Sequence, residues 1–278
     1  MGKLFLVATP IGNLADITFR AVECLKEADI IACEDTRHSR ILLDHYGIDT
    51  RTTSYHEHNK YEKAEELVAE MQKGKNVAVI TDAGTPGISD PGEELVKQSI
   101  AAGIEVTSLP GPSAVITALS MSGISSRRFV FEGFLSADKK ERKAAFDRLQ
   151  NETRTIVIYE APHRIKKTLK ELYEVLGDRR ICIGRELTKK YEEMIRLSVR
   201  DAMEHFEETE PKGEMVLIIE GISNEELMAD LTDKWKNVSI REHVNMYIGR
   251  GMSEKDAMKA AAADRGVTKR DIYGELKK

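Results

Sequence analysis

Short β-branched runs alternate with amphipathic helical stretches through about the first 120 residues, and this alternation constrains the fold more than any other feature. Strands are expected at residues 4–8, 30–33, 52–55, 77–81 and 106–109, with helices at 18–26, 39–46, 61–73 and 93–102 between them. Several of the helical stretches open on a Ser, Thr or Asp cap and close near a Gly. One helix between each pair of strands predicts a parallel α/β sheet. In such sheets ligands collect beyond the carboxyl ends of the strands. The loops at those ends therefore carry the first functional expectation.

A different rhythm follows Gly123 and the segment Ser125-Ser126-Arg127-Arg128. Strands are expected at 129–133, 155–159, 181–184, 194–198 and 215–220, against only three helices at 140–149, 164–176 and 200–207. This ratio predicts a mixed α+β second domain. The tail changes again, with helical periodicity over 239–249. Ser253-Glu254-Lys255-Asp256 has the form of a capping box ahead of an alanine-rich helix stopping at Gly266, and Thr268-Lys269-Arg270-Asp271 repeats the signature. The expected organisation is an N-terminal α/β domain over 1–123, a second domain over 124–223 and a helix-turn-helix-like module over 234–278. Three small helices also serve as plain interaction or dimerisation units.

A chain of 278 residues suffices for two cores. No apolar run approaches the ~20 residues of a membrane span, so no membrane partner is expected. Residues 1–3 lead straight into a strand without a signal-like segment, which makes the cytoplasm the default expectation. Cys24, Cys33 and Cys182 lack the spacing of a disulfide frame or zinc site. Net charge is −5, but it is unevenly spread: residues 1–126 carry −7, residues 127–196 hold 18 basic against 12 acidic side chains, and residues 234–278 hold 11 against 6. Two basic regions flanking an acidic body would suit a phosphate backbone, although solvated helix faces carry similar runs.

Among the loops, residues 82–92 (Asp-Ala-Gly-Thr-Pro-Gly-Ile-Ser-Asp-Pro-Gly) stand out for their density of Gly and Pro directly after an apolar strand. Such a loop lets backbone approach a small ligand. Pro110-Gly111-Pro112-Ser113-Ala114 is a second loop of this kind after the next strand. The second strand runs into Glu34-Asp35-Thr36-Arg37-His38, which offers carboxylates, a guanidinium fork and an imidazole. The acidic pair could instead cap a helix, but the loop's position favours functional use. His56-Glu57-His58 is a weak metal signal, and no metal is expected. No Gly-x-Gly-x-x-Gly follows the first strand, and neither a P-loop nor a Gly-x-Ser-x-Gly elbow occurs. Dinucleotide, P-loop and serine-hydrolase chemistry lose ground accordingly.

The motifs at 8–14 (Ala-Thr-Pro-Ile-Gly-Asn-Leu), 34–37, 81–92, 110–114 and 159–164 (Tyr-Glu-Ala-Pro-His-Arg) together resemble the ribosomal RNA small subunit methyltransferase I family. That family belongs to the tetrapyrrole-methylase-like enzymes that use S-adenosylmethionine (SAM). The resemblance covers at least residues 4–221, in order, and extends to the helical C-terminal module. It implies two α/β domains with SAM in the cleft between them. The implied activity is 2′-O-methylation of a cytidine ribose in the decoding region of 16S rRNA, performed by a homodimer on rRNA or the small ribosomal subunit. Tetrapyrrole enzymes usually carry Gly-Asp-Pro where this chain has Gly84-Thr85-Pro86, a departure that favours the rRNA branch. The weighed alternatives are a methylase of a tetrapyrrole or other small substrate on the same fold, and a ligand-sensing nucleic-acid-binding regulator.

Transferred onto this sequence, the resemblance implies cofactor contacts from Pro10, Gly84, Thr85, Pro86, Ile88, Ser113 and Ala114 on the N-terminal side. Tyr159, Gly213, Glu214 and Met215 are expected to close over the cofactor from the second domain. A ribose hydroxyl must lose a proton as it attacks, and Asp35, Asp82, Asp90 and His56 are the unranked base candidates. Arg37, Arg164 and Arg185 are candidate RNA phosphate clamps.

Overall fold

The computed structural model of the protein describes residues 1–277, apart from the side chains of Asp230 and Leu231. Two compact units emerge: one comprises Met1–Asp147 with Thr155–Glu220, the other Arg148–Arg154 with Gly221–Lys278.

The first unit contains two five-stranded sheets. In the first, β1 (Lys3–Val7), β2 (Ile30–Cys33), β3 (Thr52–Ser54), β4 (Val77–Ile80) and β5 (Glu105–Leu109) stand in the order β3-β2-β4-β1-β5. Every pairing is parallel. β2 and β4 are buried along their whole length, as central strands covered on both faces must be. Alternate residues serve opposite faces. Val77 and Val79 pack with Leu67 and Met71 of α3 (Lys60–Gln72) and Leu95 of α4 (Gly92–Ala101). Ala78 and Ile80 pack with Leu25 of α1 (Phe19–Glu27) and Leu43 of α2 (Thr36–His45).

Helix α2 begins three residues ahead of the sequence expectation, because the Asp35 side chain accepts the Arg37 N–H and caps it. Arg37 and His38 therefore lie on a helix, not in a loop.

The second sheet has the order β6-β7-β10-β8-β9, formed by β6 (Phe129–Phe134), β7 (Thr155–Glu160), β8 (Arg180–Arg185), β9 (Glu193–Ser198) and β10 (Met215–Ile219). Only β6 and β7 are parallel; β10 runs antiparallel to both neighbours. Helix α5 (Ala114–Ser122) buries Val115, Ala118 and Leu119 against Val157, Cys182 and Val216 of this sheet, and Ile11 from the loop after β1 joins the same cluster. A single apolar cluster thus connects the ligand edge of the first sheet to the face of the second. The remaining helices of this unit are α6 (Lys139–Leu149) as far as Asp147, α7 (Ile165–Leu176) and α8 (Val199–Glu208). α7 buries Ile165, Leu169, Leu172 and Leu176, the stripe expected of a helix with one face on a sheet. The fold is thus the α/β arrangement expected from the sequence, with a parallel sheet, a mixed sheet and C-terminal helices. Cys24, Cys33 and Cys182 are free thiols, and burial pushes those of Cys24 and Cys33 up to about 11.

The second unit carries α9 (Asn224–Asp233), α10 (Ile240–Gly249), α11 (Glu254–Asp264) and α12 (Lys269–Leu276). Ser239 and Thr268 form complete capping boxes with Glu242 and Asp271. At Ser253 only one arm forms: its hydroxyl oxygen accepts the Asp256 N–H, while the Asp256 carboxylate takes the Ser253 hydroxyl proton in place of the cap N–H. Val244, Ala257, Ala261 and Ile272 form a small core, and His243 of α10 is fully buried. Its ring stacks on Trp235 at 3.5 Å. Arg265 Nε donates to Nδ1 at 3.1 Å, which leaves Nε2 to donate to Asp264 at 3.1 Å. This is the neutral tautomer with both nitrogens used.

Burial, followed by the neighbouring Arg265 charge, pushes the His243 pKa below its ordinary 6.5, against the pull of Asp264. The unfolded chain then takes up the proton more readily than the native one, so stability present above about pH 6.5 is lost as pH falls toward the folded-state value. Circular dichroism melts of the intact chain should show the transition of the helical C-terminal unit moving down between pH 7 and pH 5. In His243→Gln this pH-dependent part disappears.

Among the described residues, no helix is long and apolar enough to cross a membrane.

Candidate functional site

The loops beyond the carboxyl ends of the first sheet are tied to one another by hydrogen bonds. Thr9 N–H donates to the Gly84 carbonyl at 2.9 Å, and Gly84 N–H returns to the Thr9 carbonyl at 3.1 Å. This bridge holds Gly84 at φ +87, a left-handed conformation in which a side chain would be strained. The Thr85 hydroxyl donates to the Pro112 carbonyl at 3.1 Å, linking the loops after β4 and β5. The Thr81 hydroxyl donates to Glu34 at 2.7 Å, and the Asp35 N–H donates to Asp82 Oδ1 at 3.2 Å, linking those after β2 and β4. Buried Tyr55 donates its hydroxyl to the Pro91 carbonyl at 2.8 Å and fixes the far end of the loop.

Asp90 folds the loop on itself. One of its oxygens accepts from Gly92 N–H at 2.7 Å and the other from Ile88 N–H at 3.1 Å. Gly92 is required by close approach: a Cβ there would lie 2.8 Å from the Gly87 nitrogen.

The second sheet supplies the opposite wall. Between β8 and β9 the chain passes through two non-glycine residues with left-handed backbone, Glu186 at φ +49 and Thr188 at φ +64. A β-branched residue in that region is an outlier that the surrounding contacts must sustain. Here Thr188 accepts the Asn13 N–H at 3.1 Å, while Glu186 accepts the Glu214 N–H at 3.2 Å and Lys189 Nζ at 3.0 Å. Lys189 also reaches Glu214 at 3.3 Å.

These walls enclose a cavity of about 320 Å³. Its apolar lining includes Ile11, Ile88, Phe134, Tyr159, Leu187 and Met215. Its charged lining is strongly one-sided, with Glu34, Asp82, Asp90, Glu160, Glu186 and Glu214 against Lys189. Burial pushes the Asp82 carboxyl above its ordinary range, and the Glu34 charge adds to this. Asp90 is also raised by burial, against the pull of its backbone donors. A second cavity of about 470 Å³ shares part of this wall and extends toward α2.

Of the residues expected from the sequence, Gly84, Thr85, Ile88, Ser113, Ala114, Tyr159, Glu214 and Met215 line the smaller cavity together with Asp82 and Asp90. Pro10 lines the larger one, with Asp82. Pro86 is buried beneath the loop. Gly213 lies behind the wall at φ +77, where a Cβ would come within 2.4 Å of Glu186. Asp35 lines neither cavity. Its carboxylate is bound by Arg37 through backbone and guanidinium, which holds it down at about 2. His56 also stands apart, its ring 5.9 Å from that of His58.

The three arginines lie outside both linings. Arg37 is 91% exposed in its side chain while paired to Asp35. Arg164 pairs with Glu160 at 3.4 Å and donates to the Leu135 carbonyl. Arg185 pairs with Glu193 at 2.8 Å. Sequence reasoning missed Phe134, Glu186 and Lys189 as lining residues. Phe134 ends an edge strand, and the Glu-Leu-Thr-Lys run at 186–189 contains neither Gly nor Pro to mark its unusual backbone. Among the described residues no group of three His, Cys, Asp or Glu side chains is arranged to hold a metal.

Comparison with known proteins agrees with this geometry. The family model described as Tetrapyrrole (Corrin/Porphyrin) Methylases matches residues 3–203. The chain is 47% identical over 273 residues to the ribosomal RNA small subunit methyltransferase I of Bacillus subtilis (strain 168), covering 98% of this chain and 93% of that protein. It is 49% identical over 234 residues to the protein of the same name from Escherichia coli O157:H7, covering 82% of each. Among solved structures, uroporphyrin-III-C-methyltransferase from Thermus thermophilus superposes with a TM-score of 0.58 at 18% identity, over 78% of this chain and 94% of that one. At that identity the likeness concerns the fold alone.

Proposed function

We infer function from one premise: this chain belongs to the ribosomal RNA small subunit methyltransferase I family of tetrapyrrole (corrin/porphyrin) methylases. It is a SAM-dependent rRNA methyltransferase, and the proposed reaction is 2′-O-methylation of a cytidine ribose in the decoding region of 16S rRNA. The proposal extends to a cytoplasmic homodimer acting on 16S rRNA or the small subunit, as the family resemblance implies.

The observation that carries the cofactor assignment is the acidic character of the smaller cavity's lining, five acidic residues against one lysine besides Glu160, whose carboxylate is buried against Thr168 and Arg164. A cationic sulfonium suits that surround, whereas a pyrophosphate would be repelled by it. Tyr159, Phe134 and Leu187 offer apolar and aromatic surface for an adenine. Gly84, Thr85 and Ser113, from the loops of the first sheet, line the same cavity. These residues fit SAM, with Ile88, Ala114, Glu214 and Met215 completing the proposed binding set, and Pro10, Pro86 and Gly213 supporting it. When bound, SAM supplies an electrophilic methyl group on a sulfur that leaves as a neutral thioether.

The protein's task is then to hold the acceptor hydroxyl and receive its proton. Four base candidates are separated by their surroundings. Asp35 is committed to Arg37, both Asp90 oxygens are committed to loop N–H groups, and His56 lies away from the cavities. Asp82 lines both cavities, uses one oxygen on the Asp35 N–H, and is raised toward the pKa range where a carboxylate accepts protons effectively. The proposed base is therefore Asp82. All three arginines are paired, Arg37 with Asp35, Arg164 with Glu160 and Arg185 with Glu193; Arg37, whose side chain is 91% exposed on α2, is the proposed first phosphate contact, with Arg164 and Arg185 as further proposed contacts.

Incubating the protein with methyl-labelled SAM and small-subunit particles lacking their native methylation, followed by nuclease digestion, tests the reading. Label is expected on the ribose of a cytidine. Label on a base, or no label on RNA, would overturn it.

A further inference from the structure

The larger cavity shares six residues with the proposed cofactor cavity: Ile11, Thr81, Asp82, Ala83, Lys189 and Glu214. Its remaining lining is of another kind. Leu14, Ile41, Leu42 and Ile80 are apolar, and His38 and Ser39 add a few polar atoms on the α2 side. Its volume of about 470 Å³ falls within the ~300–1,000 Å³ of small-ligand sites. We propose that this chamber seats the acceptor nucleoside turned out of its RNA stack, with Ile41 and Leu42 against the base and His38 at its polar edge. The assignment rests on the reading of the smaller cavity as the SAM site.

Two observations support it. Methyl transfer requires donor and acceptor within roughly 3–3.5 Å in a fixed line, and a chamber sharing a wall with the cofactor's, with Asp82 in that wall, gives an acceptor oxygen such access. Ile41 is 64% exposed although it lines a cavity, and Arg37 stands one helical turn before it. An apolar surface beside a cation on one helix face matches a nucleotide, whose base is flat and apolar-faced and whose phosphate is anionic.

Lys189 completes the junction. An ammonium has three N–H donors, and Glu186 and Glu214 take two. The third remains for an oxygen of the seated nucleotide. Lys189 is thus a positioning residue, held at the shared wall by the strained loop that carries it.

The test uses cytidine 5′-monophosphate as probe, the full chain as receptor, and S-adenosylhomocysteine to fill the smaller cavity. Saturation-transfer NMR should show magnetisation reaching the cytosine H5 and H6 protons. Ile41→Glu, at an exposed position where folding is unthreatened, should reduce that transfer at least about fivefold, whereas Ile41→Leu retains it. S-adenosylhomocysteine affinity by calorimetry should stay within about twofold in both variants. With ribosomal particles, Ile41→Glu should raise KM about tenfold or more with a smaller change in kcat. No transfer to cytidine 5′-monophosphate in the wild type, or undiminished transfer in Ile41→Glu, overturns the chamber assignment while leaving the cofactor reading intact. Calorimetric silence with S-adenosylhomocysteine in the wild type overturns the cofactor reading and this assignment with it.

Discussion

Asp82→Asn should lower kcat for rRNA methylation by about 10²- to 10⁴-fold, the range that general-base catalysis supplies, while SAM still binds. Asparagine keeps the oxygen that accepts the Asp35 N–H, so the link between the loops after β2 and β4 survives. What disappears is the acceptor for the ribose proton. In the wild type, activity should fall as pH drops through the raised Asp82 pKa, because the protonated carboxyl cannot act as base. That acid limb should be missing from the residual activity of the variant. An unchanged limb in Asp82→Asn would assign it to another group.

The same substitution should stabilise the fold. Burial and the Glu34 charge raise the Asp82 pKa above the unfolded value of 3.8, so between that value and the raised one the native state binds more protons than the unfolded chain. Stability therefore declines as pH rises through this window, and the full penalty is present at neutral pH. Asparagine carries no charge to desolvate or to repel Glu34. The melting temperature of the variant should exceed that of the wild type at pH 7, with the gap closing as pH falls toward 4. Gain of stability together with loss of turnover is the mark of a group placed for chemistry at a cost to folding; loss of both would make Asp82 a structural residue.

The parallel sheet was legible because its strands are short, the central β2 and β4 are apolar throughout, and amphipathic helices alternate with the strands, so that Val77 and Val79 serve one face and Ala78 and Ile80 the other. The loop at 82–92 was legible because close backbone approach and left-handed φ both demand Gly, as at Gly84 and Gly92. What stayed hidden is what side chains settle among themselves. Asp35 could be read as base or cap, and only the Arg37 N–H and guanidinium decide in favour of the cap. The turn at 186–189 uses Glu and Thr in left-handed backbone, sustained by contacts to Asn13 and Glu214 far away in sequence. No local pattern announces such a turn, and so Lys189 escaped notice. Gly133 shows the same limit: it permits the irregularity of β6 at φ +64, where a Cβ would sit 2.8 Å from Ser89 Oγ of the 82–92 loop.

Thr85→Arg should abolish measurable SAM binding, at least a ~100-fold loss in affinity, with the fold retained. Thr85 lines the smaller cavity and contributes one hydroxyl bond, to the Pro112 carbonyl, which arginine can replace with a guanidinium N–H. A long side chain placed in a cavity of about 320 Å³ removes much of the space a cofactor needs. It also finds partners there. Asp82, Asp90 and Glu34 present to the guanidinium the same negative field that would receive a sulfonium, so the new charge is neutralised rather than stranded. The variant thus carries its own competing cation, and SAM binding should recover only at concentrations raised about 100-fold or more. Thr85→Ser keeps the hydroxyl and should bind within about threefold of the wild type. Calorimetric titration of SAM into both variants, beside their thermal melts, checks the outcome. Wild-type affinity in Thr85→Arg would remove the loop from the cofactor site, whereas a collapsed melting transition would show that the cavity's carboxylates cannot accept a fixed cation.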